Sequence, residues 1–428
     1  MAVLIKGGRV IDPAGGVDET LDVLVDGGKV VETGKLSRLY KSKEVEVVDA
    51  AGKLVAPGLI DIHTHLREPG QEYKEDIASG TRAAAAGGFT AVCCMPNTNP
   101  VNDNRSVTEF MVKQAGVAGN CKVYPIGAIT KGSAGVELTE MADMAGAGCV
   151  AFSDDGRPVS SAEVMRRALE YAKTFGLTII SHSEETSLSA GGVMHEGEVS
   201  TRLGLKGIPS AAEEVMVARD IALAKLTGGR LHLAHISTEG SVRLIRHAKA
   251  EGINVTAETC PHYFTLTDAD LLGYNTNFKV NPPLRSAADR QAVIEGLADG
   301  TLDVIATDHA PHAASEKAVE FDSAPFGISG IETALALSMR LVETGALGLA
   351  GLIRRMTVNP ALAVGLETPG IKEGSTADIT IIDPEMVRAV EPHTLISKGK
   401  NTAYAGMALK GWPVAAMVGG RFTYRQDV

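Results

Sequence analysis

The sequence contains no CxxC pair. Its five cysteines are Cys93, Cys94, Cys121, Cys149 and Cys260, and all but Cys260 sit in or beside apolar, strand-like runs. That excludes a disulfide framework and predicts free thiols in a reducing compartment. No apolar run approaches the roughly 20 residues of a membrane span. The opening MAVLIKGGRV has no basic stretch followed by a long apolar one, so no export signal is read. Positive charge is also short: the formal net charge is −11, which argues against nucleic acid or an anionic membrane as the main partner. These absences leave a cytoplasmic protein acting on a small molecule. If that molecule is an anion, local cations must hold it.

What is present is ample core material. Of 428 residues, 44% are hydrophobic and 22% charged, normal for a globular protein. Both ends of the chain read alike. AVLIKGGRVID, ETLDVLVDGGKVVETG and KEVEVVDAAGKLVAPG alternate short β-rich runs with Gly/Asp turns, as do STADITIIDP and PVAAMVGGRFTYR near the other end. Neither half-sheet would be stable alone, so residues 1–55 plus 365–428 are expected to form one small β-sandwich. The middle, 56–364, alternates β-rich runs with longer helical stretches such as SAEVMRRALEYAKTFG. Eight candidate strands are GLIDIHTH, TAVCCMP, CKVYPIGAI, GCVAFSDDG, LTIISHSE, RLHLAHIS, INVTAETCPH and LDVIATDHAP. Eight βα units predict a (β/α)8, TIM-like barrel.

Polar residues collect where these strands stop, the face on which barrels place their active sites. His63 and His65 end the first strand, Asn97 follows the second, and Asp154 and Asp155 end the fourth. His182 ends the fifth, His235 the sixth and Asp308 the eighth, with His309 and His312 just beyond. Residues i and i+2 share a strand face, so His63 and His65 can both face the barrel axis. One divalent ion needs three or four ligands, and the surplus here fits two. Alternation leaves Asp154 and Asp155 both open as ligands. Other histidines read as structural: His247 on a helix, His195 in a polar loop, His393 near the C-terminus, and His232 opposite to His235 and so toward the helices. His262 in TCPHYF is open. Arg67 follows the histidines at the mouth, where its planar fork suits a carboxylate.

Taken in order, PGLIDIHTHLREPG, MPNTNP, FSDDG, SHSEE, AHIST, ETCPH, NPPLR and ATDHAPH resemble the amidohydrolase superfamily, and within it the dihydroorotases of the longer bacterial type. The resemblance spans essentially the whole chain. It implies reversible closure of N-carbamoyl-L-aspartate to L-dihydroorotate with loss of water, a step of pyrimidine synthesis. It implies two zinc ions: His63 and His65 on the first, His182 and His235 on the second, bridged by Asp155 and a hydroxide. It makes Asp308 a metal ligand and the general acid/base. It places His65, Arg67, Asn97, Asn281 and His312 on the substrate. Hydantoinases and allantoinases use a carboxylated lysine at the end of strand four; GAGCVAFSDDG has none, so an aspartate must serve there.

The stretch APHAASEKAVEFDSAPFGISG after strand eight is long and polar and is expected to be a lid, bringing Phe326 and Gly327 to the substrate. Asp61, on the face of His63 and His65, is a candidate for orienting a ligand. Two other readings compete: another cyclic amidase of the hydantoinase or allantoinase kind, and a non-catalytic dihydroorotase-like partner of aspartate transcarbamoylase. A homodimer and a complex with that transferase are both compatible with the sequence.

Overall fold

The computed structural model describes residues 2–39 and 44–426. All eight expected central strands form. They are Leu59–Thr64, Phe89–Cys94, Lys122–Gly127, Ala151–Ser153, Thr178–Ser181, Arg230–Leu233, Val255–Thr259 and Val304–Ile305. They pair in parallel, in chain order, as one sheet. A bridge from Thr64 to His309, with the His65 N–H donating to the His309 carbonyl at 2.9 Å, brings the last strand back to the first. Helices follow the strands and cover the sheet. Their starts are fixed by caps: Ser161 accepts from the Val164 N–H, and Thr238 from the Ser241 N–H.

The barrel has two apolar layers. Val92, Phe152, Ile179, Leu231, Leu233 and Ile305 face outward against the helices. Ile60, Ala91, Cys93, Ile126, Ala151, Ile180, Val304 and Ala306 fill the inside, together with Ala361, Ala363 and Val364 of the helix Val358–Val364. That helix closes the lower end, where the Thr178 hydroxyl at a strand start donates to the Ala363 carbonyl. With the floor plugged, the upper end is left for ligands.

The two ends of the chain share a second sheet of eight strands. Ala2–Asp12, Val17–Asp26, Lys29–Gly34, Val45–Asp49 and Leu54–Pro57 come from one end, and Ile379–Ala389, Ala408–Val418 and Arg421–Arg425 from the other. The join is antiparallel, with Val55 opposite Ile381. Val3, Val23 and Val30 pack in one core with Ile379, Val414 and Met417, so the sheet folds over itself as a sandwich. It passes into the barrel at Pro57-Gly58. A side chain at Gly58 would lie 2.0 Å from Thr90 Oγ1, so glycine alone permits this close approach. All five cysteines are free and buried, Cys260 included. No helix among the described residues is long and apolar enough to cross a membrane.

Two histidines depart from expectation. His232 points into the barrel, not toward the helices: its Nε2 lies 3.2 Å from Glu258 Oε2. The regular strand ends at Leu233, and His235 takes a left-handed φ of 38°, so the period of two cannot be carried from one histidine to the other. His195, read as loop, is buried in the short strand Met194–His195 beside Arg285.

Candidate active site

The upper ends of the strands converge on a cleft of about 580 Å³. Its lining includes His65, Arg67, Asn97, Asp155, His182, His235, Asn281, Asp308, His312, Phe326 and Gly327. Of the expected site residues only His63 is missing from this wall. It lies beneath, fully buried.

Within the cleft two ligand groups share one carboxylate. His63, His65 and Asp155 each bring an atom within 4.8 Å of one another, and so do Asp155, His182 and His235. Asp308 Oδ1 sits 3.0 Å from His65 Nε2 and 3.5 Å from His63 Nε2. The neighbouring aspartate is resolved by its contacts. Asp154 turns away and accepts from the Thr130 N–H at 3.0 Å and from the Thr130 hydroxyl. Strand four ends at Ser153, so strand parity does not place the pair; the turn does.

The donor set fits divalent ions. His63 Nε2 is buried with no hydrogen-bond partner, although Asp155 Oδ1 lies 3.4 Å away. An orphaned ring nitrogen aimed between two carboxylates is a vacancy in hydrogen bonding that a cation satisfies. Electrostatics agree. Burial opposes the charge on Asp155, yet His63, His182 and His235 hold its pKa well below the ordinary carboxylate range. Burial likewise opposes Asp308, but the hydrogen bond from His65 and the charges of His63 and His65 keep it low. For His63 the carboxylates of Glu258 and Asp155 outweigh burial and raise it well above the usual histidine value.

Three of these residues occupy the left-handed region: Arg67 at φ 62°, His235 at φ 38° and Asp308 at φ 46°. Non-glycine residues rarely do so, and such strain of about 1–3 kcal/mol each concentrates at functional sites. Packing holds it in place. The Arg67 guanidinium is buried, donates from Nε to the Pro311 carbonyl at 3.3 Å and lies 3.4 Å from His312 Nε2. It forms no ion pair with Glu68 or Glu72. Asp61 meets neither ring of His63 or His65. Its carboxylate accepts from the His63 N–H at 3.2 Å and from the Thr307 N–H and hydroxyl at 3.1 and 2.5 Å. It thereby anchors the backbone immediately before Asp308.

Several contributors have no assigned role in the motif reading. Glu258 joins His63 Nδ1 to His232 from inside the barrel. A glutamate on the inward side of a buried strand signals such a partner, because an unpaired buried charge is too costly. Glu184 touches both His182 and Asn281. Asn401, from the segment between two sandwich strands, donates to the Ala310 and Gly327 carbonyls at 3.0 Å each and accepts from the His312 N–H at 2.9 Å. Nothing local marks it; only the folded chain brings it there. The expected lid is clamped down. Lys317 donates to the carbonyls of Thr276, Lys279 and Pro325, while Lys279 donates to those of Phe321 and Asp322.

Comparison with known proteins adds a second line. A family model described as Dihydro-orotase-like matches residues 52–241. The chain is 58% identical over 429 residues to "Dihydroorotase" of Pelotomaculum thermopropionicum, covering all of both chains. It is 55% identical over 426 residues to "Dihydroorotase" of Geobacter metallireducens, again at full coverage. Among solved structures, L-hydantoinase (dihydropyrimidinase) from Arthrobacter aurescens superposes with a TM-score of 0.88 at 27% identity, covering 99% of this chain and 96% of that one. Dihydropyrimidinase from Brevibacillus agri gives 0.86 at 25% identity, covering 99% and 95%.

Proposed function

The chain belongs to the dihydroorotase family, and from that premise we propose that it interconverts N-carbamoyl-L-aspartate and L-dihydroorotate in pyrimidine synthesis with the cleft described above. The observation that carries the assignment to this cleft is the pair of ligand groups sharing Asp155, with a buried arginine on the same wall. His63 and His65 would hold one zinc ion, His182 and His235 a second, with Asp155 between them and Asp308 completing the set. When bound, such ions lower the pKa of a coordinated water toward about 7 and polarise a carbonyl.

The protein groups do the rest. Arg67 receives the substrate carboxylate; it is the buried cation that an anionic substrate needs in an acidic molecule. In ring opening, Asp308 accepts a proton from the attacking water and returns it to the leaving ring nitrogen. In ring closure it takes the ureido proton and delivers it to the departing carboxyl oxygen, which leaves as water. His65, Asn97, Asn281, His312, Phe326 and Gly327 shape the remaining wall. Burial and the nearby Arg67 push His312 down to about 3, so its ring is neutral at pH 7 and can hydrogen-bond without repelling Arg67.

The division into a catalytic unit, 56–364, and a sandwich, 1–55 with 365–428, is proposed with contacts across it: Asn401 and Ser397 belong to the second and brace the first. We place the enzyme in the cytoplasm, active without aspartate transcarbamoylase, as a monomer or homodimer. The assay is turnover of both substrates by the purified, zinc-replete chain alone, with hydantoin and allantoin beside them. Turnover of dihydroorotate supports the proposal. Turnover of hydantoin only, or of dihydroorotate only after the transferase is added, refutes it in its respective part.

A further inference from the structure

We propose that Glu184 is a positioning residue that fixes the amide of Asn281 so that it offers the substrate an acceptor, selecting an N–H of the urea group. The inference rests on reading the cleft as a dihydroorotase site. Glu184 Oε2 lies 2.9 Å from His182 Nε2 and 2.9 Å from Asn281 Nδ2, so one oxygen receives both donors. A carboxylate only accepts. The amide must therefore turn its NH2 toward Glu184, leaving Oδ1 without a protein donor among the described residues. Asn281 lines the cleft and Glu184 does not.

The same oxygen also takes His182 Nε2, which turns Nδ1 toward His235 Nε2 at 2.8 Å and Asp155 Oδ1 at 3.5 Å, the side on which a metal would be held. Asn97 is different. Its Oδ1 faces His65 Nδ1 at 2.9 Å and its Nδ2 faces Asp155 Oδ2 at 3.4 Å, so both ends of that amide are engaged. Of the two asparagines, only Asn281 has an amide oxygen without a protein partner among the described residues. An acceptor there repels a carboxylate and attracts an N–H. With Arg67 drawing the carboxylate elsewhere on the wall, the two together admit one orientation of the substrate.

The test compares Glu184→Gln, Asn281→Ala and the double variant at saturating zinc. Glutamine can donate to Asn281 and let its amide turn over. KM for dihydroorotate should rise about tenfold in each single variant, and the double variant should be no worse than Asn281→Ala. Zinc loss to a chelator should be about tenfold or more faster in Glu184→Gln but not in Asn281→Ala. The unaltered enzyme should discriminate against one of the two ring-N-methyl dihydroorotates, and both single variants should narrow that discrimination. Additive KM effects, or Glu184→Gln with unaltered KM and zinc retention, would overturn the inference while leaving the assigned reaction standing. No dihydroorotate turnover by the unaltered chain would remove the reading beneath it as well. Should Glu184→Gln not fold, Asn281→Ala decides: retained discrimination between the methylated substrates overturns the proposal.

Discussion

At the scale of single residues, Asp308 is the side chain whose removal should be felt first. Asp308→Asn keeps the shape but cannot take a proton, so kcat should fall by about 10²–10⁴-fold with an unchanged circular dichroism spectrum. Arg67→Lys keeps the charge and loses the fork, and KM for both substrates should rise about tenfold or more while kcat moves less. A third prediction concerns pH. Burial and the Arg285 guanidinium push His195 down to about 4. An unfolded chain takes up that proton near pH 6.5. The stability is therefore full above about 6.5 and is lost as pH falls toward 4. In His195→Gln the free energy of unfolding by urea should vary less with pH across that window, by roughly 1–3 kcal/mol; an unchanged pH dependence would count against this account. Single residues were also where sequence and structure parted. His63, His65, His182 and His235 are legible because polar groups ending buried strands need a reason. Asp154 and Asp155 could be separated only through the family resemblance, since a turn decides which way each points. Glu184 is invisible in that sense: its partners lie at position 182 and, across the cleft, at position 281.

At the scale of elements, the barrel strands were readable because each is a short β-rich run between helical stretches, with a polar residue where it enters the mouth. The stretch 310–330 was legible as a long loop that brings Phe326 and Gly327 to the cleft, but what orders it was not. Its order comes from two buried lysines whose donors all go to backbone carbonyls, a pairing that no local pattern reveals. Lys279 also stacks 4.7 Å from the centre of the Phe326 ring. Lys317→Met should free three carbonyls, speed amide hydrogen exchange across 274–281 and 310–330, and raise KM several-fold. Unchanged exchange there would show that the lysine holds nothing. Gly327 has φ 142°, and an added Cβ would lie 2.7 Å from the Ala310 carbonyl oxygen. Gly327→Val should therefore displace Phe326 and lower kcat/KM about tenfold or more; unchanged turnover and affinity would remove this residue from the substrate wall.

At the scale of the whole molecule, composition and the likeness of the two chain ends made a shared terminal sheet legible, and the resemblance gave the chemistry of the barrel. Neither showed how the two communicate. Asn401 leaves the sandwich segment to brace Ala310, His312 and Gly327, and Ser397 reaches Glu75, which lies 3.5 Å from His309. The cleft is thus held partly by residues that come after the barrel strands. The order of synthesis makes this consequential. Leu54–Pro57 must wait for Ile379–Ala389, more than three hundred residues later, which at about 5–20 residues per second leaves its free edge unpaired for roughly 15–60 s on the ribosome. During that interval the nascent chain carries an open strand edge, the feature that invites pairing with another chain. The newly made protein is most exposed to aggregation, and most in need of a chaperone, before its last strands emerge.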